Sequence, residues 1–123
     1  MEFIKPQKRN QQYTITLDDD PMIRRLIERY TQIKSLPFTS ARKLSEQAHK
    51  LNPTAAFIDI HLGYEECSLD ILYALKKQWP LCPLIVITSD PDAEMVKKAL
   101  SSGADDFVRK PIVPEELTDI FFS

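Results

Sequence analysis

The chain has 123 residues, of which 43% are hydrophobic and 28% charged, with nine prolines and only two glycines. This composition excludes a collagen-like, low-complexity or disordered chain, and the length fits one domain that can bury a core without disulfides or a structural metal. Sixteen basic residues against 18 acidic ones give a formal net charge of −2, so the sequence predicts no direct binding to nucleic acid.

Residues 1–12 lack the apolar stretch of a signal peptide and are interpreted as a polar tail or linker. Apolar runs such as Leu84 to Ile87 are far shorter than the roughly 20 residues of a membrane helix, so no membrane contact is expected. Cys67 and Cys82 occur in neither metal-binding nor redox spacing. We therefore interpret both as packing residues of a protein in the reducing cytoplasm.

Apolar runs and turn signals alternate along the rest of the chain. A strand is predicted over Tyr13–Leu17, and Asp20-Pro21 supplies an N-cap and a first-turn proline for a helix. Leu36–Thr39 is a weak second strand, and Ser40 caps a second helix that Asn52-Pro53 ends. The residues expected on the buried faces are Ile23, Leu26, Ile27, Tyr30 and Ile33 in the first helix and Ala41, Leu44, Ala48 and Leu51 in the second.

The middle of the chain contains a run of apolar residues typical of a strand that is buried on both faces. This third strand is predicted over Thr54–Asp59, and a loop is predicted from Ile60 to Cys67. Ser68 opens a third helix that Pro80 closes. Its inward face is expected to hold Leu69, Leu72, Leu75 and Trp79.

The clearest strand is Pro83–Thr88, and Asp90-Pro91 after it repeats the cap-plus-proline signal for a fourth helix. Gly103 fits the end of that helix, and Asp106–Arg109 makes a short fifth strand. The apolar residues expected to face inward are Met95, Val96, Ala99 and Leu100 in the fourth helix and Leu117, Ile120, Phe121 and Phe122 in a last helix that Pro114 starts. Five strands alternating with five helices predict an α/β domain with a parallel sheet covered on both faces.

The domain is expected to span residues 13–123. Its last helix would end on the aromatic pair Phe121 and Phe122, which is unusual for the surface of a complete domain. We therefore expect the last helix to be truncated and a longer protein, with a further domain, to continue beyond Ser123.

Polar side chains lie at the carboxyl ends of the predicted strands: Asp18 and Asp19 after the first, Asp59 at the third, Thr88 at the fourth and Lys110 after the fifth. These ends meet at one edge of an open α/β sheet, where ligands bind. Neighbouring carboxylates repel one another unless a cation lies among them, and Mg2+ prefers oxygen ligands of this kind. The residues predict phosphoryl transfer to a carboxylate, with metal, lysine and hydroxyl contacting the phosphoryl oxygens. Spacing alone leaves open which aspartate is the acceptor.

Four segments of the chain, ITLDDDP, AFIDIHL, VITSD and SGADDFVRKP, follow one another in this order. Together they resemble the receiver (CheY-like) domain of two-component response regulators over residues 13–122. The resemblance implies a flavodoxin-like sheet in the order 2-1-3-4-5. It also implies a regulatory domain, not an enzyme, that assists its own phosphorylation and dephosphorylation. The implied partners are a histidine kinase or phosphotransfer protein and an output domain or downstream protein, and a homodimer stays open.

The resemblance assigns the metal and acceptor roles residue by residue. Asp59 would be the phosphoacceptor. Asp18 and Asp19 would bind Mg2+ (or Mn2+) together with Asp59, and the backbone carbonyl of His61 would complete the share of the metal shell that the protein supplies.

The resemblance also assigns roles around the phosphoryl group. Thr88 and Lys110 would contact its oxygens, and the bond between Lys110 and Pro111 would be cis. Thr88 and Phe107 would move together as a switch. His61 and Asp90 would tune the lifetime of the phosphoaspartate.

The loop after Asp59 departs from the family pattern, because it lacks a Met-Pro and an Asp-Gly and adds Glu65 and Glu66. A pseudo-receiver, which keeps the fold but signals without phosphate, therefore remains an alternative. A second alternative is a small phosphohydrolase of the haloacid dehalogenase type, in which Asp18 would attack and Asp20 would act as acid and base. For Asp20 the sequence favours capping of the first helix.

Overall fold

A computed structural model of the chain describes residues 12–62, 66–67, 69–89, 92–113 and 115–117, with His61, Leu62, Glu66 and Cys67 described as backbone only. Five strands form the main sheet: β1 (Tyr13–Leu17), β2 (Lys34–Phe38), β3 (Ala55–Asp59), β4 (Leu84–Thr88) and β5 (Asp106–Arg109). Their order is β2-β1-β3-β4-β5, and each neighbouring pair is parallel. The predicted order 2-1-3-4-5 is confirmed.

Four helices connect these strands: α1 (Pro21–Thr31), α2 (Ala41–Gln47), α3 (Leu69–Gln78) and α4 (Ala93–Ser102). A 3-10 turn, Ala48–Lys50, extends α2, and residues 115–117 are helical after β5. None of the described helices is long and apolar enough to cross a membrane.

The helices cover both faces of the sheet, as predicted, and each face has its own apolar core. On one face α2, α3 and α4 pack over Ile15, Ile58 and Val86, and on the other α1 and Leu117 pack over Phe57 and Ile87. Every residue of β3 and β4 is buried, because a parallel strand between two helical layers has no solvent face.

Capping side chains fix where the helices begin. Asp20 accepts a hydrogen bond from Met22 N at the start of α1, with Pro21 as the first helical residue, and Ser40 accepts one from Lys43 N at the start of α2. Both caps were predicted. The predicted cap of the fourth helix, Asp90, is wrong: α4 begins after Asp92, whose side chain accepts from Met95 N at 2.8 Å.

Three further expectations need correction. Strand β2 begins at Lys34, two residues before the predicted Leu36, because its whole length pairs with β1. The predicted loop from Ile60 to Cys67 contains a short antiparallel pair, His61–Leu62 with Glu66–Cys67. Leu100 is 48% exposed, because the buried seam of α4 is narrow and centres on Ala99.

Gly103 ends α4, as predicted, with a positive φ of 123°. A Cβ at this position would lie 3.1 Å from Lys76 Cβ and 3.3 Å from the carbonyl oxygen of Leu72. Glycine therefore permits both the backbone turn and the close approach of α4 to α3. Residues 1–11, Ser68, Pro114 and the part of the predicted last helix beyond Leu117 lie outside the described residues.

Candidate functional site

The register of the sheet brings the predicted polar residues to one edge. Leu17 on β1 pairs with Ile58 on β3. The next residues along the chain, Asp18 and Asp59, therefore lie side by side where these neighbouring strands end. Asp59 itself pairs with Ile87, which places Thr88 beside it on β4. These three residues therefore lie at one edge of the sheet, as expected when the carboxyl ends of parallel strands coincide.

Asp18, Asp19 and Asp59 form a cluster in which each offers a carboxylate oxygen, and these oxygens lie within 4.8 Å of one another. Asp18 and Asp59 are buried, whereas Asp19 is exposed. A set of oxygen-only ligands with this much negative charge suits a hard divalent cation better than zinc or copper. The cluster could therefore hold a metal such as Mg2+.

Lys110 lies between the two buried carboxylates. Its Nζ is 3.0 Å from Asp18 Oδ2 and 3.1 Å from Asp59 Oδ2. The backbone N–H of Lys110 donates to the carbonyl oxygen of Thr88 at 2.8 Å, which fixes where the side chain begins. Burial by itself lowers the pKa of Lys110, but the hydrogen bonds to Asp18 and Asp59 and their charges outweigh burial and raise the pKa. The lysine therefore stays cationic at neutral pH.

Asp18 is held from several sides. Its backbone N–H donates to the carbonyl oxygen of Phe38 at 3.0 Å, and its Oδ1 accepts from the backbone N–H of Asp20 at 2.9 Å. Burial is the main reason that the pKa of Asp18 is raised, and the charge of Asp59 adds to it, against the lowering effect of the Asp20 and Lys110 hydrogen bonds. Phe38 and Asp20 make these contacts through backbone groups, which every residue type has, so the sequence could not predict them.

The structure describes fewer contacts for the remaining predicted site residues. Thr88 is 1% exposed at the end of β4, while Phe107 on β5 is 39% exposed. The bond between Lys110 and Pro111 is cis, as the resemblance implies. His61 is described as backbone in a short strand, and Asp90 lies outside the described residues.

This is a parallel α/β domain with two buried aspartates, an exposed third aspartate and a lysine at the carboxyl edge of its sheet. Ligands of open α/β folds bind at that edge, and these side chains could contact a divalent cation and an anionic group. Comparison with known proteins gives the family. Residues 15–122 match the family model described as the response regulator receiver domain. The chain belongs to this family.

The chain is 29% identical over 100 residues to a cyclic di-GMP phosphodiesterase of Thermotoga maritima, covering 80% of the chain and 27% of that protein. It is 35% identical over 109 residues to an NtrX-like response regulator of Rickettsia typhi, covering 84% of the chain and 22% of that protein. The chain thus spans about a quarter of the length of both relatives.

Solved structures share the fold. The BeF3-activated DrrB receiver domain aligns with a TM-score of 0.77 and 24% sequence identity, covering 89% of this chain and 93% of that chain. The family match makes this chain a receiver domain, which is a regulatory phosphoacceptor domain of two-component signalling.

Proposed function

We propose that this receiver domain accepts its phosphoryl group on Asp59. The observation that carries the proposal is that the Asp59 carboxylate, 4% exposed, has the Lys110 ammonium at 3.1 Å and the oxygens of Asp18 and Asp19 within 4.8 Å. A carboxylate oxygen of Asp59 attacks the phosphorus atom, and the bond from phosphorus to the donor breaks with its electron pair moving to the donor atom. The product is an aspartyl phosphate.

Asp18, Asp19 and Asp59 would hold Mg2+ (or Mn2+), and the backbone carbonyl of His61 would add a further oxygen. When bound, the cation neutralises negative charge on the phosphoryl oxygens as it builds up. The support for these ligands is the oxygen-only donor set and the closeness of the three carboxylates.

Lys110 and Thr88 would act on the phosphoryl oxygens directly. Lys110 carries its positive charge beside Asp59 before phosphorylation, and the Thr88 hydroxyl, at the end of the neighbouring strand, would donate a hydrogen bond to one phosphoryl oxygen. Through these contacts the domain assists its own phosphorylation. The same groups would assist dephosphorylation by water, with His61 and Asp90 tuning how long the phosphoaspartate lasts.

The output of the domain would be a shift between two conformations that phosphorylation biases. Thr88 and Phe107 would be the switch residues, since both lie at the β4–β5 side of the sheet and Phe107 has room to move at 39% exposure.

Residues 13–123 would be the receiver unit of a longer cytoplasmic protein, after a linker at 1–12. The greater length of both relatives supports a fused output domain.

The experiment is intact-mass measurement after incubation with acetyl phosphate and Mg2+. We expect uptake of one phosphoryl group by the wild type, and no uptake by Asp59→Asn or in the presence of EDTA. Asp70→Asn, an exposed aspartate on α3, is the matched control and should be phosphorylated normally.

Two outcomes would contradict the proposal. Uptake that survives Asp59→Asn but is lost in Asp18→Asn would indicate the phosphohydrolase alternative. A wild type that takes up nothing, and that beryllium fluoride does not perturb, would indicate a pseudo-receiver.

A further inference from the structure

Asp20 joins the start of α1 to the acidic cluster. Its side chain caps the helix, accepting from the backbone N–H of Met22 at 3.0 Å, and its carbonyl oxygen accepts from Ile23 N at 3.1 Å. Its backbone is extended, with φ −102° and ψ 110°, and Pro21 begins the helix directly after it. These bonds fix the conformation of residue 20 and hence the direction of its own N–H group.

The same N–H group donates to Asp18 Oδ1 at 2.9 Å. The side chain of Asp18 is fully buried, and its other oxygen, Oδ2, faces Lys110 Nζ at 3.0 Å. The Asp18 carboxylate is therefore oriented from two sides, by its ion pair with Lys110 and by the hydrogen bond from the Asp20 backbone N–H. The Asp20 carboxylate is exposed and is not part of the three-carboxylate cluster.

We propose that Asp20 is a positioning residue for the cation site: by capping α1 it holds its backbone N–H against Asp18 Oδ1 and so orients the Asp18 carboxylate toward a cation. The proposal rests on the function proposed above. It goes beyond that function because it gives Asp20 a part in metal binding through its hydrogen bonds, not as a ligand or as an acid and base.

Two neutral substitutions separate the cap from the charge. Asn caps a helix about as well as Asp, whereas Ala does not, and both remove the same negative charge. We would measure the Kd for Mg2+ by isothermal titration calorimetry in 0.15 M salt, which limits charge effects to about 8 Å. Asp20→Asn should bind within about twofold of the wild type, and Asp20→Ala about tenfold more weakly, the size expected when a group that orients a metal ligand is lost.

A second readout follows the cap itself. Hydrogen exchange at the Met22 amide should be faster in Asp20→Ala than in the wild type, and Asp20→Asn should restore the slow rate. Asp92→Ala is the matched control, because Asp92 is also an exposed N-cap aspartate, at the start of α4. It should lower the melting temperature by a similar amount and leave the Kd for Mg2+ within about twofold.

The outcomes separate this inference from the proposed function. If the wild type binds Mg2+ and Asp20→Ala binds it equally well, or if Asp20→Asn is as weak as Asp20→Ala, the positioning role is overturned and the cation site stands. If the wild type binds no Mg2+, the cation site is overturned and the inference falls with it. Circular dichroism melts establish that each variant is folded. If Asp20→Ala does not fold, Asp20→Gly, which also lacks the side-chain acceptor, takes its place.

Discussion

The Lys110 ammonium group donates a hydrogen bond to the Asp59 carboxylate at 3.1 Å, across 51 positions of the chain. The same ammonium group lies 3.0 Å from Asp18 Oδ2, so one cation serves two buried carboxylates. This arrangement exists only when β1, β3 and β5 occupy their places in the folded sheet. The charge balance of the site is therefore tied to the stability of the whole domain.

Replacing Lys110 by Met should destabilise the domain, because Asp18 and Asp59 would stay buried without their cation. We expect the free energy of unfolding in EDTA to fall by about 2 kcal/mol, measured by urea denaturation. Mg2+ should restore part of this loss by supplying positive charge to the same carboxylates. Lys98→Met, which changes an exposed lysine on α4, is the control and should leave stability nearly unchanged.

The raised pKa of Lys110 predicts how the destabilisation of Lys110→Met depends on pH. Because the pKa of Lys110 is raised above 10.5 in the folded protein, its stabilising contribution is fully present below pH 10.5. The contribution is lost as the pH rises through the raised folded pKa. The stability difference between wild type and Lys110→Met should therefore be flat from neutral pH to about pH 10, and a difference that vanished near neutrality would contradict the assignment.

Asp18→Asn should stabilise the domain when no metal is present. Burial raises the pKa of Asp18 above 3.8, so the folded state binds this proton more readily than the unfolded state, and the ionised group costs stability at neutral pH. We expect a gain on the order of 1 kcal/mol at pH 7 in EDTA, measured by urea denaturation. In the wild type, the same cost should shrink as the pH falls through the raised pKa toward 3.8.

Mg2+ supplies the control for Asp18→Asn. It should raise the stability of the wild type and do so much less for the variant, because the variant lacks one carboxylate of the cluster. Asp70→Asn should respond to Mg2+ as the wild type does. A variant less stable than the wild type in EDTA would show that the hydrogen bonds to Asp18 outweigh the cost of its burial.

The edge of the sheet that carries the site could be predicted because the sequence marks clearly where the strands end. Tyr13–Leu17 and Asp106–Arg109 have the predicted bounds, and the polar residues after the apolar runs mark where the strands stop. Parallel pairing then brings Asp18, Asp59 and Lys110 together without any further information.

The parts that could not be predicted depend on backbone conformation or on a partner strand. Asp90 and Asp92 both suit an N-cap, and only the backbone path decides that Asp92 is used. Lys34 and Ser35 join β2 because β1 pairs with them, although neither has strong strand propensity. The hydrogen bond from Asp20 N to Asp18 Oδ1 likewise could not be predicted, because its donor is a backbone N–H group and not a side chain.

The Cys82 thiol should react slowly in the folded protein. It is 6% exposed, and burial raises its pKa from 9.0 to about 12. We expect its reaction with an aromatic disulfide reagent at pH 8 to be at least about a hundredfold slower than that of an ordinary thiol, because so little thiolate is present. The measurement uses Cys67→Ser, so that Cys82 is the remaining cysteine. The same variant in 8 M urea is the control, and equal rates in the two conditions would exclude a protected thiol.

Thr14 should be a site where a hydroxyl lowers stability. It is fully buried in β1, and its Oγ1 has no hydrogen-bond partner among the described residues. Val has the same shape without the hydroxyl, so Thr14→Val removes the cost of burying an unpaired polar group. We expect the free energy of unfolding to rise by about 1 kcal/mol in urea denaturation.

Thr16 provides the opposite case on the same strand. It is also buried, but its hydroxyl is hydrogen-bonded to the Ser35 hydroxyl on β2. Thr16→Val leaves the buried Ser35 hydroxyl without this partner, so the same chemical change should lower stability by about 1–2 kcal/mol. The two variants share residue type, strand and burial, and they differ in whether the lost hydroxyl was paired. A Thr14→Val protein that is no more stable than the wild type would indicate that an ordered water satisfies the Thr14 hydroxyl.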